Sequence, residues 1–144
     1  MFVELRDIIQ AYLQAQTELF RTVLVYLLKE LVTKYPEGTI IRVIKPLYGI
    51  AEAGVHWFAT YQGHHCKELD MATSTYDPCL LITNVGPDKF GIVGLQTDDT
   101  LAIGTSTFSE AEDAALHKAN FRAKPKDRLS DEMSLEFNGC TLTL

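Results

Sequence analysis

The sequence is poor in cysteine, and its 3 cysteines, Cys66, Cys79 and Cys140, stand far apart with no Cys-X-X-Cys pair. An odd count at such spacing argues against a disulfide framework. It points to free thiols in a reducing, intracellular compartment, cytoplasmic or nuclear. Long apolar runs are also missing. The longest uninterrupted one is Val23 to Leu28, far short of the roughly 20 residues of a membrane span, so no membrane partner is expected. The N-terminus, Met1-Phe2-Val3-Glu4-Leu5-Arg6-Asp7, lacks a basic start, and Glu4 and Asp7 interrupt any apolar core, which excludes a secretory signal. Internal repeats and low-complexity tracts are absent. Positive charge is scarce, with 13 Lys+Arg against 19 Asp+Glu and a formal net charge of −6. That balance works against standalone binding to nucleic acid, which needs cations against phosphates. No Ser/His/Asp arrangement and no Gly-rich phosphate loop is found.

What is present suits one domain over residues 1–144, of ordinary soluble composition with 47% apolar and 22% charged residues. A chain of this length buries roughly 68–70% of its unfolded surface without covalent staples. Phe2 to Leu5 reads as a strand ending at Asp7, and Ile8 to Leu13 shifts toward helical spacing. Leu19, Phe20, Val23, Leu24, Leu27, Leu28 and Leu31 form a stripe that favours a helix, although Val23 to Tyr26 would equally suit a buried strand. Pro36-Glu37-Gly38 signals a turn, and Ile40 to Ile44 a strand stopped by Pro46. Trp57, Tyr61, His65 and Leu69 recur every fourth residue, which predicts a helix over Ala51 to Leu69 with one apolar face. Cys79 to Thr83 reads as a strand. Phe90 to Leu95 and Thr100 to Ile103 read as a hairpin flanking Asp98-Asp99. Thr107-X-X-Glu110 has the form of a capping box for a helix running to about Phe121. Leu135, Phe137, Leu142 and Leu144 alternate across Gly139, as a final strand with a bend or bulge. Strands outnumber what a βαβ repeat would supply, so the expected class is α+β.

Asp98-Asp99 is the sharpest local feature. A hairpin tip built for geometry alone favours Asn-Gly or Asp-Gly, and two adjacent carboxylates repel. A divalent metal would relieve that repulsion, and carboxylate oxygens suit Mg²⁺, which shares its remaining positions with water and substrate phosphates. Taken alone, the doublet reads more simply as an exposed polar turn, and Asp7 as the N-cap of a following helix. His64-His65-Cys66 with His56 nearby invites a zinc reading, but helical ligand pairs stand at i, i+3 or i, i+4. One packed and one solvated histidine is the simpler expectation. Lys118, Arg122, Lys124, Lys126 and Arg128 are the basic cluster, suited either to a nucleic-acid backbone or to a solvated face.

Several blocks, in order, resemble the reverse transcriptase of copia-type LTR retrotransposons. Asp7-Ile8-Ile9-Gln10-Ala11-Tyr12-Leu13 looks like that family's Asp-X-X-X-Ala-Phe/Tyr-Leu block. Lys45-Pro46-Leu47-Tyr48-Gly49-Ile50 with the later Trp57 looks like its Lys-X-Leu-Tyr-Gly-Leu block. Ser74-Thr75-Tyr76-Asp77-Pro78-Cys79-Leu80-Leu81 resembles Ser-X-X-Asp-Pro-Cys-Leu-Phe. Thr97-Asp98-Asp99 stands where the family has Tyr-Val-Asp-Asp, with Gln96-Thr97 in place of Tyr-Val. Phe137-Asn138-Gly139 resembles a late Phe-Leu-Gly element.

The resemblance implies a polymerase palm-like antiparallel sheet with helices packed on one face. It implies an RNA-directed DNA polymerase, a nucleotidyltransferase of a transposable element that uses Mg²⁺ or Mn²⁺, a dNTP and an RNA/DNA template-primer. Asp7 and Asp98 would be the principal metal ligands and catalytic carboxylates, with Asp99 supporting them. Tyr12 would stack under the incoming sugar, and Tyr48 and Gly49 would lie beside the nascent base pair. Phe137 and Gly139 would grip the primer end. On this reading the chain is a palm fragment without fingers, thumb or RNase H region. Little or no synthesis is then expected of it alone, and self-association through the face those parts would cover is expected. The alternatives are a non-catalytic relic or interaction module that keeps the palm fold, and an unrelated acidic metal-binding domain.

Overall fold

Glu4, Arg6 and Ile8 are buried while their neighbours in the chain are more open, the two-residue period of a strand with one covered face. In the computed structural model, which describes Met1–Leu144, this segment is β1 (Phe2–Asp7), inside a six-stranded antiparallel sheet. The other members are β4 (Met71–Thr73), β5 (Leu80–Thr83), β6 (Gly91–Gln96), β7 (Asp99–Gly104) and β8 (Asp127–Arg128), in the order β4-β5-β6-β7-β1-β8. Two strands outside it, β2 (Val23–Tyr26) and β3 (Ile40–Val43), form a separate ribbon. β9 (Leu135–Phe137) and β10 (Cys140–Leu142) form a second one. With the helices α1 (Ala53–Glu68) and α2 (Ser106–Lys118), the class is α+β with an antiparallel sheet, as the strand count predicts.

Both helices lie on the face of the sheet that carries Glu4, Arg6 and Thr100. The core joins Trp57 and Tyr61 of α1 and Phe108 and Leu116 of α2 to Leu81, Val93, Leu95 and Ala102 of the sheet. The predicted apolar stripe of α1 is real, since Trp57, Tyr61 and His65 are each buried. Trp57 stacks on Tyr61 with ring centroids 4.8 Å apart. Gly91 and Gly104 permit α2 to approach, because a Cβ at either would lie within 3 Å of the Phe108 ring.

The interface also buries charge. Glu112 and Glu4 are almost fully enclosed. Lys126 Nζ lies 2.9 Å from Glu112 and 3.5 Å from Glu4, and Arg6 bonds both Glu112 and Asp113. His65 Nδ1 faces the Tyr61 carbonyl at 3.0 Å, and its Nε2 lies 3.5 Å from Glu112. Burial pushes the Glu112 carboxyl upward, but the hydrogen bond from His65 and the charges of Lys126, His65 and Arg6 outweigh it and hold the group at about 2.

Several local expectations are corrected. The stripe from Leu19 to Leu31 does not form a helix. Val23-Leu24-Val25-Tyr26 is β-branched and aromatic and pairs with β3, and Leu24 and Leu28 of the stripe stay exposed. The helical period had no core to face. The cap of α2 is Thr105, whose hydroxyl accepts from the Phe108 N–H at 3.3 Å, not Thr107 two residues later. The end of the chain is not one bent strand. Asn138 and Gly139 both have positive φ, 52° and 73°, and turn β9 back into β10 as a two-residue hairpin loop. The segment after Asp7 becomes a 3-10 turn over Ala11–Gln14. No helix is long and apolar enough to cross a membrane. All three cysteines are free thiols.

Candidate carboxylate site

Antiparallel pairing of β1 with β7 sets Asp7 directly opposite Asp99. Cross-strand partners share a face of the sheet, with Cβ atoms about 4.5–5.5 Å apart. Since Arg6 and Thr100 are buried on the helix side, Asp7 and Asp99 project from the opposite, open face. The sequence places both aspartates of the doublet between the strands. The structure corrects this: the loop is Thr97-Asp98, and Asp99 is the first residue of β7. The Asp98 carbonyl accepts from the Ile8 N–H at 2.8 Å, which ties the turn to the end of β1.

The turn has a cost and a brace. Thr97 has φ 51°, a left-handed conformation that a β-branched residue rarely adopts. Trp57 Nε1 donates to the Thr97 carbonyl at 2.5 Å, so the core helix holds the loop that carries Asp98. Like charges directly opposite in a sheet destabilise it, and the chemistry of this site reflects that. Burial raises the Asp99 carboxyl above the ordinary aspartate value, and the charges of Asp98 and Asp7 push it the same way, opposed by Lys124.

Tyr48 and Tyr12 border the carboxylates. Their rings lie 4.5 Å apart, tilted by 38°. Desolvation and then the charge of Asp98, with smaller contributions from Tyr12 and Asp7, raise the Tyr48 phenol. Gly49 follows Tyr48 with φ 89° and no atom within 4 Å of where its Cβ would be, so the loop turns sharply in open space. Phe137 and Gly139 approach from the second ribbon. A Cβ on Gly94 would lie 3.7 Å from the Phe137 ring, and Gln96 Nε2 donates to Asn138 Oδ1 at 2.5 Å. This hairpin therefore docks on the open face, beside a groove of about 430 Å³ that Leu80, Ile92 and Leu101 help to line.

Lys124 is the residue that sequence reasoning did not assign to the site. Its ammonium lies 2.7 Å from Asp7 Oδ2, and its backbone N–H donates to the Asp7 carbonyl at 2.9 Å. The signal was the basic cluster, which the structure breaks up. Lys118 pairs with Glu68, Lys126 with Glu112, and Arg128 with Glu4, while Arg122 bonds Gln10. Of these cations only Lys126 is enclosed; Lys118, Lys124 and Arg128 form exposed pairs.

Hard oxygen donors at the end of two strands suit a small divalent cation, and the Lys124 ammonium already occupies the position of a positive charge beside them. As they stand, Asp7, Asp98 and Asp99 do not form a group of three donors gathered around one point. The zinc reading of the histidines finds no support in the geometry. His56 bonds the Thr17 hydroxyl at 2.6 Å, and His65 is enclosed near Glu112. His64 is half-buried, and burial, reinforced by the neighbouring His65, lowers it to about 4. Comparison with protein-family models, curated proteins and solved structures finds no match to this chain.

Proposed function

We propose that the chain is a palm-like nucleotidyl-transfer domain of the kind found in copia-type reverse transcriptases, acting on a template-primer and a dNTP with Mg²⁺ or Mn²⁺. The observation that carries this reading is the cross-strand pairing of Asp7 with Asp99 beside the turn that carries Asp98. A structural hairpin gains nothing from opposed carboxylates on an open face, whereas phosphoryl transfer needs them, being mostly positioning and charge stabilisation. A bound divalent cation would neutralise the charge that develops on the transferred phosphoryl group. Asp7 and Asp98 would hold it, and Asp99 would support them.

The remaining residues take roles that follow from their surroundings. Tyr12 offers an aromatic face under the incoming sugar once Tyr48 moves off it, and the open backbone at Gly49 gives that loop room to move. Phe137 and Gly139 sit on a hairpin braced against β6, on the same open face as Asp7, where a primer end would be steadied. The groups that would bind phosphates are few, because Lys126 is enclosed and the net charge is −6. Weak extension by these 144 residues alone is consistent with that.

Primer extension tests the reading, with oligo(dT) on poly(rA), dTTP and Mn²⁺, comparing the chain with Asp98→Asn. Trace extension that the substitution abolishes is the expected outcome. If extension is absent but Mn²⁺ raises the melting temperature and Asp98→Asn removes that rise, the chain is the non-catalytic relic. If Mn²⁺ leaves the melting temperature unchanged and Asp98→Asn is neutral, the metal site and the polymerase reading fall together.

A further inference from the structure

We infer that Asn138 is a site of spontaneous deamidation, in which the backbone nitrogen of Gly139 displaces ammonia from the asparagine side chain once the β9–β10 hairpin opens. The chain has three asparagines, Asn84, Asn120 and Asn138. Their surroundings differ in what this reaction needs: a free N–H on the following residue, room around it, and a backbone that can move.

Asn138 alone meets all of these. Its successor is glycine, which has no side chain to shield the nucleophile. Both residues of the loop are exposed, and a Cβ on Gly139 would meet no atom within 4 Å. The Gly139 N–H has no hydrogen-bond partner, because it lies inside the two-residue loop that the Phe137–Cys140 pair closes. Asn120 is followed by Phe121, whose N–H donates to the Leu116 carbonyl at 3.0 Å, so that nucleophile is engaged. Asn84 is followed by the β-branched Val85 and is itself pinned. Its N–H donates to the Asp70 carbonyl at 2.9 Å, and its Nδ2 to Asp70 Oδ1 at 3.2 Å.

The closed hairpin restrains the reaction. φ is 52° at Asn138 and 73° at Gly139, and Gln96 Nε2 holds Asn138 Oδ1. The ribbon behind the loop is short, however, with three residue pairs and Leu135 as its one buried residue. A ribbon of that size opens without global unfolding. In the opened form hydroxide removes the Gly139 N–H proton, and the nitrogen attacks Asn138 Cγ. The N–Cγ bond forms, the Cγ–Nδ2 bond breaks, and ammonia leaves with a proton from water. Water then opens the cyclic imide at either carbonyl. One opening leaves an aspartyl residue, whose carboxylate still accepts from Gln96. The other routes the main chain through the side chain as an isoaspartyl residue. That extra backbone atom lengthens a loop closed by two residues, and loosens the Phe137 ring from Gly94.

The test incubates the full chain in mildly alkaline buffer, native and in denaturing urea, with acidic digestion at intervals. Mass spectrometry reads the amide at each asparagine, and labelling by an isoaspartyl methyltransferase reads the rearranged product. The urea series supplies each asparagine's intrinsic rate, so the ratio of native to denatured rates isolates the effect of the fold. The native chain is expected to lose the Asn138 amide and gain isoaspartate while Asn84 and Asn120 stay intact. Asn138→Ser should abolish the methyl-acceptor signal. An Asn138 amide that survives in the native chain while the denatured chain loses it would overturn the inference. So would a native product free of isoaspartate, or a methyl-acceptor signal that persists in Asn138→Ser.

Discussion

Asp99 illustrates how a single residue is held against its own preference. Its carboxyl is raised by burial and then by the charges of Asp98 and Asp7, so the folded state binds that proton more tightly than the unfolded chain. The linked stability is therefore fully present below about pH 3.8, the ordinary aspartate value, and is lost as pH rises through the higher folded value. At neutral pH, without metal, the ionised Asp99 works against the fold. Asp99→Asn should stabilise the metal-free chain at pH 7 by about 0.5–1 kcal/mol, the scale of one like-charge cross-strand pair. The gain should shrink toward zero at pH 3.5. Urea midpoints in the presence of a chelator measure both, and a lower midpoint at pH 7 would contradict the account. The sign reverses for Glu112, whose partners hold it at about 2. Its charge is part of what keeps α2 on the sheet at neutral pH. Glu112 is thus held charged by its partners in the middle of α2, whereas the charge of Asp99 at the start of β7 is opposed by its surroundings.

At the scale of elements, the site is positioned by contacts made on the far side of the sheet. α1 braces the Thr97-Asp98 loop through Trp57, and α2 seats Phe108 against the two glycines at the far end of β6 and β7. Gly104 has little tolerance there. A Cβ would lie 2.9 Å from both the Phe108 ring and the Phe90 carbonyl oxygen, and backbone cannot yield as a flexible side-chain tip does. Gly104→Ala is expected to cost about 1–3 kcal/mol, the usual penalty of overpacking, read as a lower urea midpoint. An unchanged midpoint would mean that α2 can slide freely over the sheet. Gly94 makes the contrast, because its added Cβ would meet the Phe137 ring at 3.7 Å, an ordinary contact.

For the whole molecule, the unusual surface is the β2–β3 ribbon. It has two strands only, and Leu24, Val25, Tyr26, Ile40 and Ile41 are all exposed. Leu24, Tyr26 and Ile40 share one face of it and Val25 and Ile41 the other; an isolated two-stranded ribbon is marginal in water, and exposed apolar faces mark contact surfaces. The sedimentation coefficient is expected to rise with protein concentration, and the double variant Leu24→Lys, Ile40→Lys should abolish that rise without lowering the melting temperature. A parent chain that sediments as a monomer at every concentration would rule this out. Against the net charge of −6, Lys118, Lys126 and Arg128 of the basic segment each pair with a carboxylate of the same chain.

The sequence by itself determined the elements whose information is local. β1, α1, the β6–β7 hairpin and the α+β class are legible because alternation, a four-residue apolar stripe and turn residues act within a few neighbours. Of the candidate residues, Asp98-Asp99 stands out by its misfit as a turn, whereas Asp7 is singled out only by the family resemblance. Tertiary structure alone decided the rest. The stretch around Val23 had helical and extended solutions of similar local merit, and the long-range partner Ile40–Val43 chose between them. The cap of α2 moved to Thr105 because α2 begins where β7 ends against Phe108. That Asp7 faces Asp99 depends on a register across more than ninety residues, and Lys124 reaches Asp7 only after the chain has passed over α2 and returned. Charges so distant in sequence interact only once the fold has brought them together, and no local pattern encodes that distance.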